Sequence, residues 1–100
     1  MAKLIKIEKL KSTDSIHYYR ISTSDFKSNA FFMGIDSKKK YINFFLNQDF
    51  SNSIGFVDLN KPNEPIHIIQ IDPRMMWPAI AKADKAIKEN RFPENLDFAA

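Results

Sequence analysis

The sequence predicts an α+β fold, a five- to six-stranded antiparallel β-meander with one C-terminal α-helix packed on the sheet. Three observations lead there. Runs rich in β-branched and aromatic residues with period-two alternation recur from Lys3 to Ile71. The polar links between them are shorter than the dozen or so residues that a parallel crossover needs. Only one later stretch, after Pro73, carries apolar residues at the three-and-four spacing of a helix face.

The central feature is Ala30–Asn47, AFFMGIDSKKKYINFFLN, which reads as a β-hairpin around Asp36, Ser37, Lys38 and Lys39. Phe31, Met33 and Ile35 alternate with Phe32 and Gly34, and Ile42, Phe44 and Leu46 with Tyr41, Asn43 and Phe45. Side chains change face at each residue, so the Phe31/Phe32 and Phe44/Phe45 doublets put large rings on both sides of the sheet. One side then needs a helix or a partner as cover. Gly34, in mid-strand, marks a bulge or a place where an aromatic neighbour leans over the backbone.

In chain order, Lys3–Lys11 is an amphipathic strand with Ile5 and Ile7 on one side. Ser12–Ser15 supplies turn chemistry. Ile16–Thr23 is a second strand with Tyr19 and Ile21 together. Ser24–Asn29 and Gln48–Ser53 are polar links, each holding one aromatic, Phe26 and Phe50. Ile54–Leu59 and Ile66–Ile71 complete the strands, separated by the proline- and asparagine-rich loop Asn60–Pro65. Asp72-Pro73 opens a short turn, and Pro78 is expected to start the main helix, because a proline inside it would clash with the preceding turn. Met76, Ile80, Ala83 and Ile87 form its apolar face. Asn90 caps it and Pro93 prevents its continuation. The whole is one domain over 1–100, with sheet over about 3–71, helix over about 78–90 and a packed tail over 91–100.

Composition narrows the class. At 44% hydrophobic and 27% charged residues the chain is of globular type. A domain of this length buries roughly 60–70% of its unfolded surface without metal or disulfide. No apolar run reaches the roughly 20 residues of a membrane span, and Met1–Lys11 mixes charge with aliphatics, unlike a signal peptide; a cytoplasmic protein is expected. The lack of cysteine excludes disulfides, thiolate chemistry and sulfur-ligated zinc. The net charge is +3, and the first fifty residues hold nine Lys/Arg against five Asp/Glu, so one half of the chain is basic. Such a half attracts nucleic acid or an acidic protein surface, although lysines on edges and turns also keep sheets soluble.

Motifs for catalysis are missing. Two glycines, Gly34 and Gly55, provide neither a phosphate cradle nor a nucleophile elbow. His17 and His67 both fall on strands and would need a carboxylate such as Asp58 or Asp36 to make three metal ligands, so no metal and no cofactor are expected. Asp36 and Asp72 have the positions of turn and cap residues.

Two binding readings follow, with a small enzyme built from scattered residues as the third. Arg74, Met75 and Trp77 gather residue types enriched at protein interfaces, which points to a non-catalytic protein-binding domain, with the Lys38–Lys40 turn adding charge. A sheet-to-helix corner stapled by Trp77 is the purely structural account of the same residues. Tyr18, Arg20, Lys38, Lys39, Lys40 and Tyr41 offer rings and cations for single-stranded nucleic acid, without the signature of an RNA-recognition sheet and in competition with the needs of a small core. Pairing of exposed edges would give a homo-oligomer. In size and predicted plan the chain is similar to small bacterial domains that include immunity proteins which neutralise a partner toxin, a resemblance of topology alone that implies a toxin-neutralising or regulatory role for such binding.

Overall fold

A computed structural model describes residues 4–23, 30–47, 49–51, 53–61, 73–96 and 98–99. The expected strand Ile66–Ile71, with His67, lies outside these residues, as do Phe26 and Asp72. The elements are β1 (Leu4–Thr13), β2 (Ile16–Thr23), β3 (Phe31–Asp36), β4 (Tyr41–Phe45), β5 (Ser53–Asp58), α1 (Pro73–Glu89) and β6 (Phe98–Ala99). The strands form one antiparallel sheet in the order β5-β4-β3-β2-β1-β6. The first five make the meander that the alternation predicts. The sixth comes from the tail, which returns antiparallel to β1 through Leu4↔Ala99 and Ile5↔Phe98. Accordingly α1 is not the last element.

Register sorts the side chains into two faces. Rows Ile7↔Ile21↔Phe31, Tyr19↔Met33↔Phe44 and Ile35↔Ile42↔Val57 lie on one face, here the inner face, and every member is buried. Together with Met75, Met76, Ala79, Ile80 and Ala83 of α1 they make one hydrophobic cluster. Phe32 and Phe45 are also buried, yet lie on the opposite, outer face and outside that cluster. The sheet is therefore apolar on both sides at its centre.

A bulge in β1 changes the pattern. Lys9 pairs with Tyr19 but Lys11 with Tyr18, leaving Leu10 as the extra residue. Without it Lys11 would share the face of Ile5 and Ile7; with it Lys11 joins Tyr18 on the outer face.

Local chemistry closes the turns and the helix. Asp14 takes a left-handed φ of 49° in the β1–β2 turn, which aspartate tolerates. In the β3–β4 turn the Asp36 carboxylate accepts the backbone N–H of Lys38 and of Lys39, both at 3.0 Å. Asn90 (φ 51°) ends α1: its N–H donates to the Ile87 carbonyl and the Arg91 N–H to that of Ala86, the paired bonds of a Schellman cap. The helix starts earlier than expected. It runs from Pro73 with Pro78 inside it, since Met75 and Met76 on the N-terminal side of Pro78 are buried and hold that turn in place. No described helix is long and apolar enough to cross a membrane.

Candidate functional site

At the start of α1 the three proposed contact residues separate. Met75 is buried in the shared cluster and is not available to a partner, a correction that follows from helical phase: residues 75, 76, 79, 80 and 83 turn inward together. Trp77 falls between the inward positions and is 51% exposed. Arg74 belongs to the first turn, but its side chain lies outside the described set. Further along the helix the exposed pairs Asp84–Lys88 (3.0 Å) and Lys85–Glu89 (3.9 Å) decorate the surface and contribute a few tenths of a kcal/mol each.

The outer sheet face holds the second set. Register places Tyr18, Arg20 and Tyr41 on this same face, with the Lys38–Lys40 turn at its β3–β4 end. Their rings are not bare. Tyr18 lies across Gly34, where an added Cβ would stand 3.1 Å from its Cε1. Phe50 folds back from the β4–β5 link onto Tyr18, with centroids 4.4 Å apart, and meets Phe32 and Phe45 edge-on at 5.9 and 5.4 Å. The Lys11 ammonium sits 5.1 Å from the Tyr18 ring centre and 5.3 Å from that of Phe50. Tyr41 packs edge-on against Phe56 at 5.3 Å, and Phe56 is 55% exposed.

Carboxylates stand among the cations of this face. Glu8 stands directly opposite Arg20, while Asp36 and Asp58 are the cross-strand partners of Tyr41. In the sequence Phe50 is one aromatic in a polar link, and that position alone does not reveal the cluster it completes. The available signal was the pair of Phe doublets, which demand cover on both faces, together with one large ring in an otherwise polar connection.

His17 is committed elsewhere. It stacks on Phe92 with centroids 3.9 Å and planes 7° apart, and its Nδ1 is hydrogen-bonded to Ser12 Oγ at 2.9 Å. Burial and then the nearby Lys9 ammonium hold its imidazole below the usual pKa. The same stretch of tail is tied down by Lys9 Nζ donating to the Phe92 carbonyl, Tyr19 Oη to the Pro93 carbonyl (2.7 Å), Lys9 N to Glu94 O (2.7 Å) and Leu96 N to Ile7 O (2.8 Å). Burial, with a smaller push from the Glu94 carboxylate, raises the Tyr19 phenol to about 12. Among the described residues no three His, Asp or Glu side chains converge as metal ligands.

A groove of about 250 Å³ runs between α1 and the tail, lined by Lys82, Lys85, Glu89, Arg91, Asn95 and Leu96 among others, with no imidazole, hydroxyl or thiol in its lining. Comparison with protein-family models, with curated proteins and with solved structures gives no match.

Proposed function

We propose that this chain is a non-catalytic protein-binding domain, cytoplasmic and of toxin-neutralising or regulatory kind, that docks through Trp77. In this reading α1 packs across the inner sheet face, as its shared buried cluster indicates, and thereby turns Trp77 outward. One observation carries the reading. A tryptophan stays half-exposed while both preceding methionines are buried, so the helix leaves its largest apolar ring to solvent. Exposed Trp is among the residues that dominate binding energy at interfaces. Arg74 and the Lys38–Lys40 turn add positive charge for an acidic partner surface.

The test is affinity capture of the tagged chain from lysate of its own source, with and without nuclease, at low and high salt. The reading expects one stoichiometric protein that survives both treatments and is lost with Trp77→Ala, the variant's circular dichroism being unchanged. Its emission should also shift on binding, because Trp77 is the sole tryptophan. A second reading, single-stranded nucleic acid on the outer face, is favoured by the shared face of Tyr18, Arg20 and Tyr41. Recovery of nucleic acid that disappears at high salt, with no constant protein, would establish that reading and overturn the first.

A further inference from the structure

We propose that the outer-face slot now filled by Phe50 is a docking site for an aromatic side chain on an acidic segment of a protein partner, with Phe50 as a resident ring that the partner's ring displaces. The inference is independent of the Trp77 reading, since it concerns the opposite face of the sheet and other residues.

Four observations support it. The slot is built for a ring: Gly34 provides a floor without a side chain, Tyr18 packs against it, and Phe32 and Phe45 meet the occupant edge-on. Its occupant is held at a conformational cost. Phe50 has a φ of 57°, the left-handed region that a bulky aromatic rarely enters, and such outliers persist only where surrounding contacts impose them. The hydrogen bonds of the described part of this loop stay inside it. Among its described residues the Phe50 N–H donates to Asn47 O and the Ser51 N–H to Asp49 Oδ1, both within the loop, while Leu46, Asn47, Asp49 and Ser51 are exposed. Finally, the β1 bulge places Lys11 over the Tyr18 and Phe50 rings, where an ammonium meets an incoming carboxylate.

The charge pattern selects the class of partner. The Glu8, Asp36 and Asp58 carboxylates interrupt the cations of this face, so a phosphodiester strand laid across it would meet charges of both signs. A single ring with one neighbouring carboxylate meets the Lys11 ammonium beside the slot.

The experiment titrates the full chain with the capped dipeptide Ac-Asp-Phe-NH2 and follows backbone amide resonances. Phe50→Gly empties the slot and relieves the left-handed backbone. In that variant a saturable one-to-one shift is expected at Gly34, Tyr18 and Lys11, and Ac-Asp-Leu-NH2 should fail to reproduce it. Wild-type protein should give the same pattern at least about tenfold more weakly, because only the fraction with Phe50 displaced is competent. Lys11→Ala should weaken binding, and Trp77→Ala should leave it unchanged. Equal response to the leucine peptide, wild-type binding as tight as the variant's, or shifts confined to other regions would overturn the proposal. So would a single-stranded oligonucleotide that shifts these signals where the dipeptide does not. Should Phe50→Gly fail to fold, the wild-type titration decides alone: a saturable shift at Gly34 and Tyr18 supports the site, and its absence removes it.

Discussion

Tyr18 lies across Gly34 so closely that an added methyl group would require its ring to give by a few tenths of an ångström, its Cε1 and Cδ1 standing 3.1 and 3.3 Å from the place a Cβ would take. The ring cannot simply lift, because Phe50 presses on it from above at 4.4 Å. Gly34→Ala should therefore cost stability although alanine is the better strand residue. Overpacking of about 1–3 kcal/mol outweighs a backbone gain of about 0.5–1 kcal/mol. Urea unfolding of Gly34→Ala should show a net loss of about 1 kcal/mol, and the loss should shrink in the Phe50→Ala background, where the ring has room to rise. Equal losses in both backgrounds would mean that Phe50 does not confine Tyr18.

Burial of Tyr19 and its bond to the Pro93 carbonyl tie the tail to the sheet. Tyr19→Phe removes the bond and leaves that carbonyl without its phenolic donor, a loss of about 1 kcal/mol. The alkaline behaviour has a definite sign. The phenol titrates near 12 in the folded chain against 10.0 ordinarily, so its contribution is complete below pH 10 and disappears as pH rises through about 12. Ultraviolet titration of the three tyrosines should find one that ionises only near pH 12, and Tyr19→Phe should remove that step.

Much of this was legible from the chain, for reasons that particular residues make clear. Alternation in Tyr19/Ile21 and Phe31/Met33/Ile35 reports burial directly, since one face of each strand must be apolar. Alternation cannot reveal an inserted residue, so the bulge at Leu10, and with it the face of Lys11, stayed hidden. Two residues of β6 carry no periodic signal at all. Met75 and Trp77 form one composition cluster in the sequence, and only the helical phase set by a start at Pro73 separates the buried one from the exposed one.

That separation gives a clean contrast. Met75→Ala should cost about 2–5 kcal/mol through the cavity it opens. Trp77→Ala should change stability by about 0.5 kcal/mol, as an exposed substitution does, while abolishing partner capture. Thermal melts and capture measured on both variants would show the opposite ranking if Trp77 were a staple of the core.

His17 supplies an acid-sensitive contact. Its folded pKa lies below the ordinary 6.5 because burial, and then Lys9, disfavour the imidazolium. Its contribution is thus complete above pH 6.5 and is lost as pH falls through the lowered folded value. His17→Phe retains a ring to stack on Phe92 and cannot titrate. The stability difference between wild type and His17→Phe, followed by urea midpoints from neutral to mildly acidic pH, should move in favour of the variant as pH falls. A flat difference would show that protonation leaves the His17–Phe92 stack intact.

Pro78 sits in the second turn of α1, where its nitrogen cannot donate to the Arg74 carbonyl and its ring crowds that carbonyl. An interior proline costs about 3 kcal/mol relative to alanine in a helix, while its restriction of the unfolded chain returns about 0.4–1 kcal/mol. Those two terms leave roughly 2–2.6 kcal/mol, and the position's closeness to the helix start, where fewer bonds depend on it, lowers the net penalty to about 1 kcal/mol. Pro78→Ala is expected to raise stability by about 1 kcal/mol and to increase helical circular dichroism slightly. Because Trp77 keeps its outward helical phase when the residue after it changes, the same variant should leave partner capture intact. A loss of stability instead would show that packing of the half-buried Pro78 ring outweighs the missing hydrogen bond.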